Sequence, residues 1–315
     1  MKKAVLLATA LVLGLSGCAG QTSGEYPNKA VKVIVPFSAG GGTDLCTRAI
    51  VDAAKDDFPK GIAVENKTGG SGAVGLLEGA NSAKDGTVLT TICVELTTLP
   101  HTAAGTTLSP DQFTPILTMN STYSAVTVKA DSPYNTLDDL INAAKGEEIQ
   151  IGNSGIGAIW HLAAAGLAKE ANVEFTHIPF EGAAPAVTSL LGGHIDAITV
   201  SYPEVAAQVE AGELKVLALM APERNEKLPD IPTAQELGYD VVIGTWRGLA
   251  VPSETPDEIV DKLYSIFEKA SKEDSFIEFM NNNNLDIDIV AKEEFQNKIN
   301  SEYELFGKLI DELGL

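Results

Sequence analysis

The stretch Val31-Lys32-Val33-Ile34-Val35-Pro36-Phe37-Ser38-Ala39-Gly40-Gly41-Gly42-Thr43-Asp44 runs from a β-branched segment through three glycines into a helical pattern. β-branched side chains suit a pleated strand, Pro36 ends it, and the glycines allow a tight turn before a helix begins. A strand handing over to a helix in this way opens a βα unit. Further short apolar runs at residues 62–64, 88–94, 125–128, 149–151, 173–178, 195–200 and 214–219 alternate with segments of helical period. That alternation places the chain in the α/β class, with parallel-type sheets covered on both faces by helices.

Three helix starts carry cap signals: Thr255-Pro256-Asp257-Glu258, Thr136-Leu137-Asp138-Asp139 and Thr233-Ala234-Gln235-Glu236. In each a Thr precedes an acid three residues on, the spacing of a capping box. Residues 292–313 place Phe295, Ile299, Tyr303, Phe306 and Ile310 on one stripe, which predicts a long amphipathic helix. Asn281 to Asn284 interrupt the chain before an expected last strand, residues 286–290.

Ligands of open α/β sheets bind beyond the carboxyl ends of the strands, where strand gives way to helix. Four such junctions are rich in Gly, Ser and Ala: Pro36 to Asp44, Thr68 to Gly75, Gly152 to Ala158, and Pro179 to Pro185. Small residues let a ligand approach the backbone, and free N–H groups at helix starts favour an anion. The first and fourth junctions echo each other, Val-Ile-Val-Pro-Phe against Thr-His-Ile-Pro-Phe, as two lobes presenting matching loops across a cleft would.

Other chemistries find little support. Gly70-x-Gly72-x-x-Gly75 matches a dinucleotide fingerprint in letter, yet the region about 20 residues on offers Leu89, Thr90 and Thr91 where a ribose-binding acid is needed. The Gly40 to Asp44 turn lacks the Gly-Lys-Ser/Thr of a phosphate loop, and no Gly-x-Ser-x-Gly elbow occurs. His101, His161, His177 and His194 have no metal-ligand spacing, so neither a metal nor a cofactor is expected. His161 could reach a ligand or lie beneath its loop, and with Ser154 it forms the one combination that a hydrolase could use. Trp160 and Trp246 each adjoin a Gly-rich segment and suit either a pocket wall or a core.

The N-terminus reads as an export signal: Met1-Lys2-Lys3, an apolar run from Ala4, then Leu15-Ser16-Gly17-Cys18. The apolar run is too short for a permanent transmembrane helix. A Leu-Ser-Gly-Cys box resembles the bacterial lipoprotein signal, which implies cleavage after residue 17, lipid on Cys18, and a flexible spacer over residues 18–25. The 315-residue chain has a formal charge of −21, more negative still once Lys2 and Lys3 leave. Such a surface repels phosphate backbones, which excludes nucleic acid as a partner, and leaves the lipid as the only membrane contact. Cys46 and Cys93 either pair or fill two small apolar sites.

Val33 to Asp44, Glu65 to Gly72, Ile178 to Ala186, Leu190 to Asp196 and Trp246 to Pro252 resemble, in order, blocks of the extracytoplasmic solute receptors of tripartite tricarboxylate transporters, the Bug family. The resemblance spans the chain from about Tyr26 onward. It implies a type II periplasmic-binding-protein fold, a Venus flytrap whose lobes are residues 26–122 plus 243–315 and residues 123–242, joined by crossings near 120–125 and 242–248. It also implies a monomer that closes on a small organic carboxylate and delivers it to one large and one small integral membrane subunit, or, on a different reading, to a sensor. The family's grip on one end of its ligand maps to Phe37, Ser38, Ala39, Gly40 and Gly41, with Asp44 bracing the loop. The other lobe offers Asn153, Ser154, Gly155, Gly157 and Ala158 with His161, and then Phe180, Gly182, Ala183 and Ala184. Ser71, Gly72, Ser201 and Arg247 complete the candidate set. Where many members carry Tyr-Lys-Gly this chain has Phe180-Glu181-Gly182, so Glu181 is expected to face solvent or to pair with a cation such as Arg247.

Overall fold

The computed structural model describes residues 26–102 and 106–315; the signal segment, the spacer and Cys18 lie outside the described residues. The first half alternates strands and helices: β1 Val31–Val35, α1 Gly42–Ala54, β2 Ile62–Asn66, α2 Ala73–Ala80, β3 Val88–Cys93 and α3 Glu95–Thr102. A long β4, Phe113–Lys129, leads into α4 Leu137–Ala144, β5 Gln150–Asn153, α5 Ile159–Ala171, β6 Thr176–Pro179 and α6 Ala183–Leu191. The chain then forms β7 Ala197–Ser201, α7 Ala206–Glu210, β8 Leu214–Leu219, β9 Gly244–Pro252, α8 Asp257–Ala270, α9 Asp274–Asn282 and α10 Lys292–Leu313.

Strand order is β2-β1-β3-β9-β4-β7-β5-β6, with β8 also on β4. Pairs β1–β2, β1–β3, β5–β6 and β5–β7 are parallel, but every pair that includes β4 or β9 is antiparallel. The sheets are therefore mixed rather than purely parallel, a correction that comes from two strands running through the middle. β4 is one 17-residue strand serving both halves. It pairs with β9 as far as Tyr123↔Gly244 and with β7 from Ser124↔Ser201. Register shifts at Pro115/Leu117 and Thr118/Asn120 bend it, as bulges do, and Pro115 could not donate to a regular ladder in any case.

Other local expectations also needed revision. Residues 286–290 run beside β4 but make only isolated bridges, Asn120↔Ile287 and Leu117↔Ala291. Side chains of β4 supplement two backbone bonds, Thr118 N–H to Val290 O and Asp288 N–H to Met119 O: Thr118 Oγ1 donates to Asp288 O, Asn120 Nδ2 donates to Asp286 O, and Val290 N–H donates to Thr118 Oγ1. Thr233 and Glu236 do cap each other, yet only a 3-10 turn follows, because Gly238 at φ +92° ends it at once. Thr255 does not cap α8; its hydroxyl donates back to Pro252 O. The Thr136–Asp139 box is reciprocal as expected, and α10 spans residues 292–313 with Phe295, Ile299, Phe306 and Ile310 buried.

Among the described residues two large core clusters pack against the sheet, beside a small one of Ala125, Leu219 and Ala221. One gathers Val33, Ile50, Phe58, Leu89, Leu249, Phe267 and Phe276, and the other Leu140, Ile151, Leu162, Leu190, Ile198 and the stripe of α10. Burying each such side chain contributes roughly 1.5–3 kcal/mol, enough together to hold the strand ends, and so the loops that follow them, in fixed positions. Cys46 and Cys93 are free, buried thiols, so the smaller reading of those residues holds.

Candidate functional site

The loop after β1 is tied from below. Asp44 accepts from Gly40 N–H at 2.9 Å, from Arg48 Nε at 2.9 Å and from Asn66 Nδ2 at 2.9 Å, while Asn66 also donates to Phe37 O. Burial works against its charge, but Arg48 and these donors hold the Asp44 carboxyl below its usual range. Gly40 takes φ +83°, which a side chain would resist. Phe37 is buried, and at Gly72 a Cβ would stand 3.1 Å from its ring.

The facing loop after β5 is braced within itself. Asn153 Oδ1 accepts from Gly155 N–H at 3.0 Å, and His161 Nδ1 accepts from Gly157 N–H at 3.1 Å. His161 thus lies beneath its loop, edge-on to His177 at 4.5 Å. Burial, reinforced by His177, lowers its pKa to about 4 and keeps it neutral. Ser154 Oγ has no hydrogen-bond partner, and His161 Nδ1 is already engaged, so no nucleophile–base pair forms between them.

The two sets of loops touch. Ser38 N–H donates to Glu181 O at 3.2 Å, Ser71 Oγ donates to Ile156 O at 2.6 Å, and Thr98 Oγ1 donates to Gly157 O at 3.1 Å. At Gly182, φ +137°, a Cβ would stand 2.7 Å from Ser38 Oγ. The cleft is therefore shut. What remains inside is a space of about 20 Å³, lined by Phe37, Gly41, Ser154, Ala183 and Arg247 of the expected set, and also by Gly42, Thr43, Glu95, Ile159, Trp160, Glu204 and Thr245. Of the other expected residues, Gly155, Ala158 and Asn153 are buried, Ala39 is exposed, and Phe180 and Ala184 are half-buried, and none of these lines the space.

Arg247 is buried at 2% exposure and stands on β9 among Thr43, Asn120 and Glu204. Its Nη1 donates to Asn120 Oδ1 at 2.6 Å, its Nε to Thr43 Oγ1 at 3.2 Å, and its Nη2 lies 3.6 Å from Glu204 Oε1. Glu181, by contrast, is exposed, so of its two expected settings it takes solvent. Glu204 Oε1 also accepts from Gly42 N–H at 3.0 Å, at the start of α1, while its Oε2 accepts from Ser201 N–H and Oγ. Ser201 thus serves by holding Glu204. The reciprocal arrangement exists on the other side: Glu95 Oε1 accepts from Ile159 N–H at the start of α5, at 3.2 Å. Burial raises the Glu95 pKa.

Glu95 and Glu204 are the residues that sequence reasoning missed. Each had a local sign: Glu95 is a lone acid within Ile92-Cys93-Val94-Glu95-Leu96, and Glu204 closes a Ser201-x-x-Glu204 box. Among polar atoms around the cleft, Ser38 Oγ, Asn153 Nδ2 and Ser154 Oγ are buried without partners, as groups awaiting a ligand would be. A larger cavity, about 580 Å³, is lined by Tyr202, Val242, Trp246, Lys298 and Glu302. Trp246 and Arg247 are successive residues of β9 and so face opposite sides. The larger space has a single glycine, Gly244, in its lining, and its Lys298 and Trp246 are already bonded to Glu302.

Two α/β halves sharing central strands, with glycine loops meeting across a cleft, define a periplasmic-binding-protein fold. Residues 46–315 match the model for the tripartite tricarboxylate transporter family receptor, and the chain belongs to that family of binding receptors. A Cupriavidus necator protein described as a UPF0065 protein in the gbd 5' region is 30% identical over 271 residues, covering 85% of this chain and 83% of its own. The periplasmic binding protein BugD is 28% identical with a TM-score of 0.87, over 92% of this chain and 99% of that one. A TctC solute-binding protein from Polaromonas, solved without ligand, is 40% identical with a TM-score of 0.67, over 91% and 99%. Among the described residues no helix is long and apolar enough to cross a membrane.

Proposed function

We propose that this chain is a lipid-anchored extracytoplasmic receptor that captures a small organic carboxylate and delivers it to the membrane subunits of a tripartite carrier, with no catalytic step. The observation that carries the reading is the set of buried, unpartnered donors Ser38 Oγ, Asn153 Nδ2 and Ser154 Oγ around a shut cleft. Two Rhodopseudomonas palustris proteins of the same fold, each 23% identical to this chain, hold malate and adipate, which supports a carboxylate as guest.

Capture works by hinge closure of residues 26–122 plus 243–315 against residues 123–242. A space of about 20 Å³ holds no more than a water molecule, so a solute enters only when the lobes part. A thermal-shift screen over C4 to C6 dicarboxylates, aromatic acids and amino acids tests the reading on protein freed of bound solute. A true ligand at about 100 times its Kd adds about 2.7 kcal/mol of stability. A screen in which no carboxylate stabilises the protein would remove the reading's support. Anchoring is tested separately, since Cys18→Ser should release the protein from washed membranes.

A further inference from the structure

We infer that the solute carries a positively charged amino group as well as a carboxylate, and that Glu204 and Glu95 recognise that group. The inference rests on the carboxylate-receptor reading and narrows it to amino acids.

Two of the helix starts that face the cleft, those of α1 and α5, are already filled by the chain's own acids, while that of α6 at Ala183 has no side-chain cap. Glu204 reaches from one lobe to Gly42 N–H at the start of α1, and Glu95 reaches from the other lobe to Ile159 N–H at the start of α5. Neither acid is a stray surface group. Glu95 is 3% exposed, and the Glu204 side chain is 5% exposed and held on its second oxygen by Ser201. An anion seated at the start of α1 or of α5 would have to displace the acid already there, which leaves the start of α6 for a single carboxylate.

The charge balance points the same way. Two carboxyl groups and one guanidinium, Arg247, line the space; Arg247 faces Glu204, and burial raises the Glu95 pKa, so that an incoming cation, not a second anion, favours its charged form. The nearby His161 and His177 are held toward the neutral form by burial. A dianion would bring two further negative charges against one cation in a region that water barely enters, where like charges repel strongly. A zwitterion adds no net charge. Its ammonium can meet Glu95 and Glu204, and its carboxylate can meet the donors that lack partners. Ser154, 4% exposed, lines the space and its hydroxyl is unpartnered, and the preceding residue Asn153, fully buried, holds an unpartnered Nδ2.

Calorimetric titration of the intact protein, stripped of bound solute, with matched pairs that differ only in the amino group tests this. The pairs are glutamate and glutarate, aspartate and succinate, and leucine and 4-methylpentanoate. At least one amino acid should bind tenfold or more tightly than its deaminated partner, and Glu204→Gln or Glu95→Gln should cut that ratio several-fold. Equal or tighter binding of the deaminated acids would overturn the inference and leave the carboxylate receptor standing. A ratio unchanged in both variants would also overturn it, as would the absence of binding by either series, in which case the underlying reading is decided by the wider thermal-shift screen. The comparison within each pair needs only the unaltered protein, so a variant that fails to fold does not block the test.

Discussion

Glu204 Oε1 lies 3.6 Å from Arg247 Nη2 with both side chains buried, which makes this pair the electrostatic centre of the cleft. The contact is Coulombic rather than a close hydrogen bond, because the other nitrogens of Arg247 donate to Asn120 and Thr43. Removing one partner of a buried ion pair typically costs about 3–5 kcal/mol, since the other charge stays desolvated. Glu204→Ala should show a loss of that order in urea unfolding, and Glu204→Gln, which can still accept from Gly42 N–H, a smaller one. A loss below about 1 kcal/mol in Glu204→Ala would mean that Thr43 and Asn120 satisfy Arg247 unaided.

Closure is predicted to be sensitive to Gly182 in a way that sequence alone did not separate from Gly40. A Cβ at Gly182 would stand 2.7 Å from Ser38 Oγ on the opposing loop, whereas at Gly40 it would meet nothing within 4 Å. Gly182→Val should weaken binding of a confirmed solute by tenfold or more, about 1.4 kcal/mol. Gly146→Val, which also meets nothing, is the control. An unchanged Kd for Gly182→Val would show that the Ser38–Glu181 contact is absent from the bound form.

Local rules carried the βα alternation and the long α10, because their signals lie within a few residues. They missed the first half of β4, where Phe113-Thr114-Pro115 reads as loop and only pairing with β9 makes it strand. They also missed β9 as a strand, for its partners β3 and β4 are far away in sequence. The same limit applies to the site. Gly loops and Arg247 announce themselves by composition, but the bonds of Glu204 to Gly42 and of Glu95 to Ile159 span 162 and 64 residues. A capping box says that Glu204 is held, not that its free oxygen crosses a cleft.

The two thiols should be inert in the folded protein. Burial pushes Cys46 up to about 12 and Cys93 well above its ordinary value, and both are essentially unexposed. The thiolate is the reactive form, so Ellman's reagent at pH 8 should label neither residue within minutes, and both in guanidinium chloride. Rapid labelling of native Cys93 would reveal opening at the end of β3, next to Glu95.

Acid sensitivity is predicted to run in part through His161. Its folded pKa is lowered from 6.5 to about 4, chiefly by burial and secondarily by His177, whose own pKa burial also lowers. A His with a depressed folded pKa is protonated first in the unfolded chain. Its contribution is therefore complete above about pH 6.5 and is lost as pH falls toward 4. The shift corresponds to roughly 2–4 kcal/mol over that window. His161→Gln keeps an acceptor for Gly157 N–H but cannot titrate, so its stability should fall less steeply than that of the unaltered protein from pH 7 to 4.5. Carboxylates with lowered pKa, such as Asp44, lose stability in the same direction, but they do so in both proteins and cancel in the difference. Parallel pH profiles for the two proteins would show that His161 stays accessible to protons in the fold.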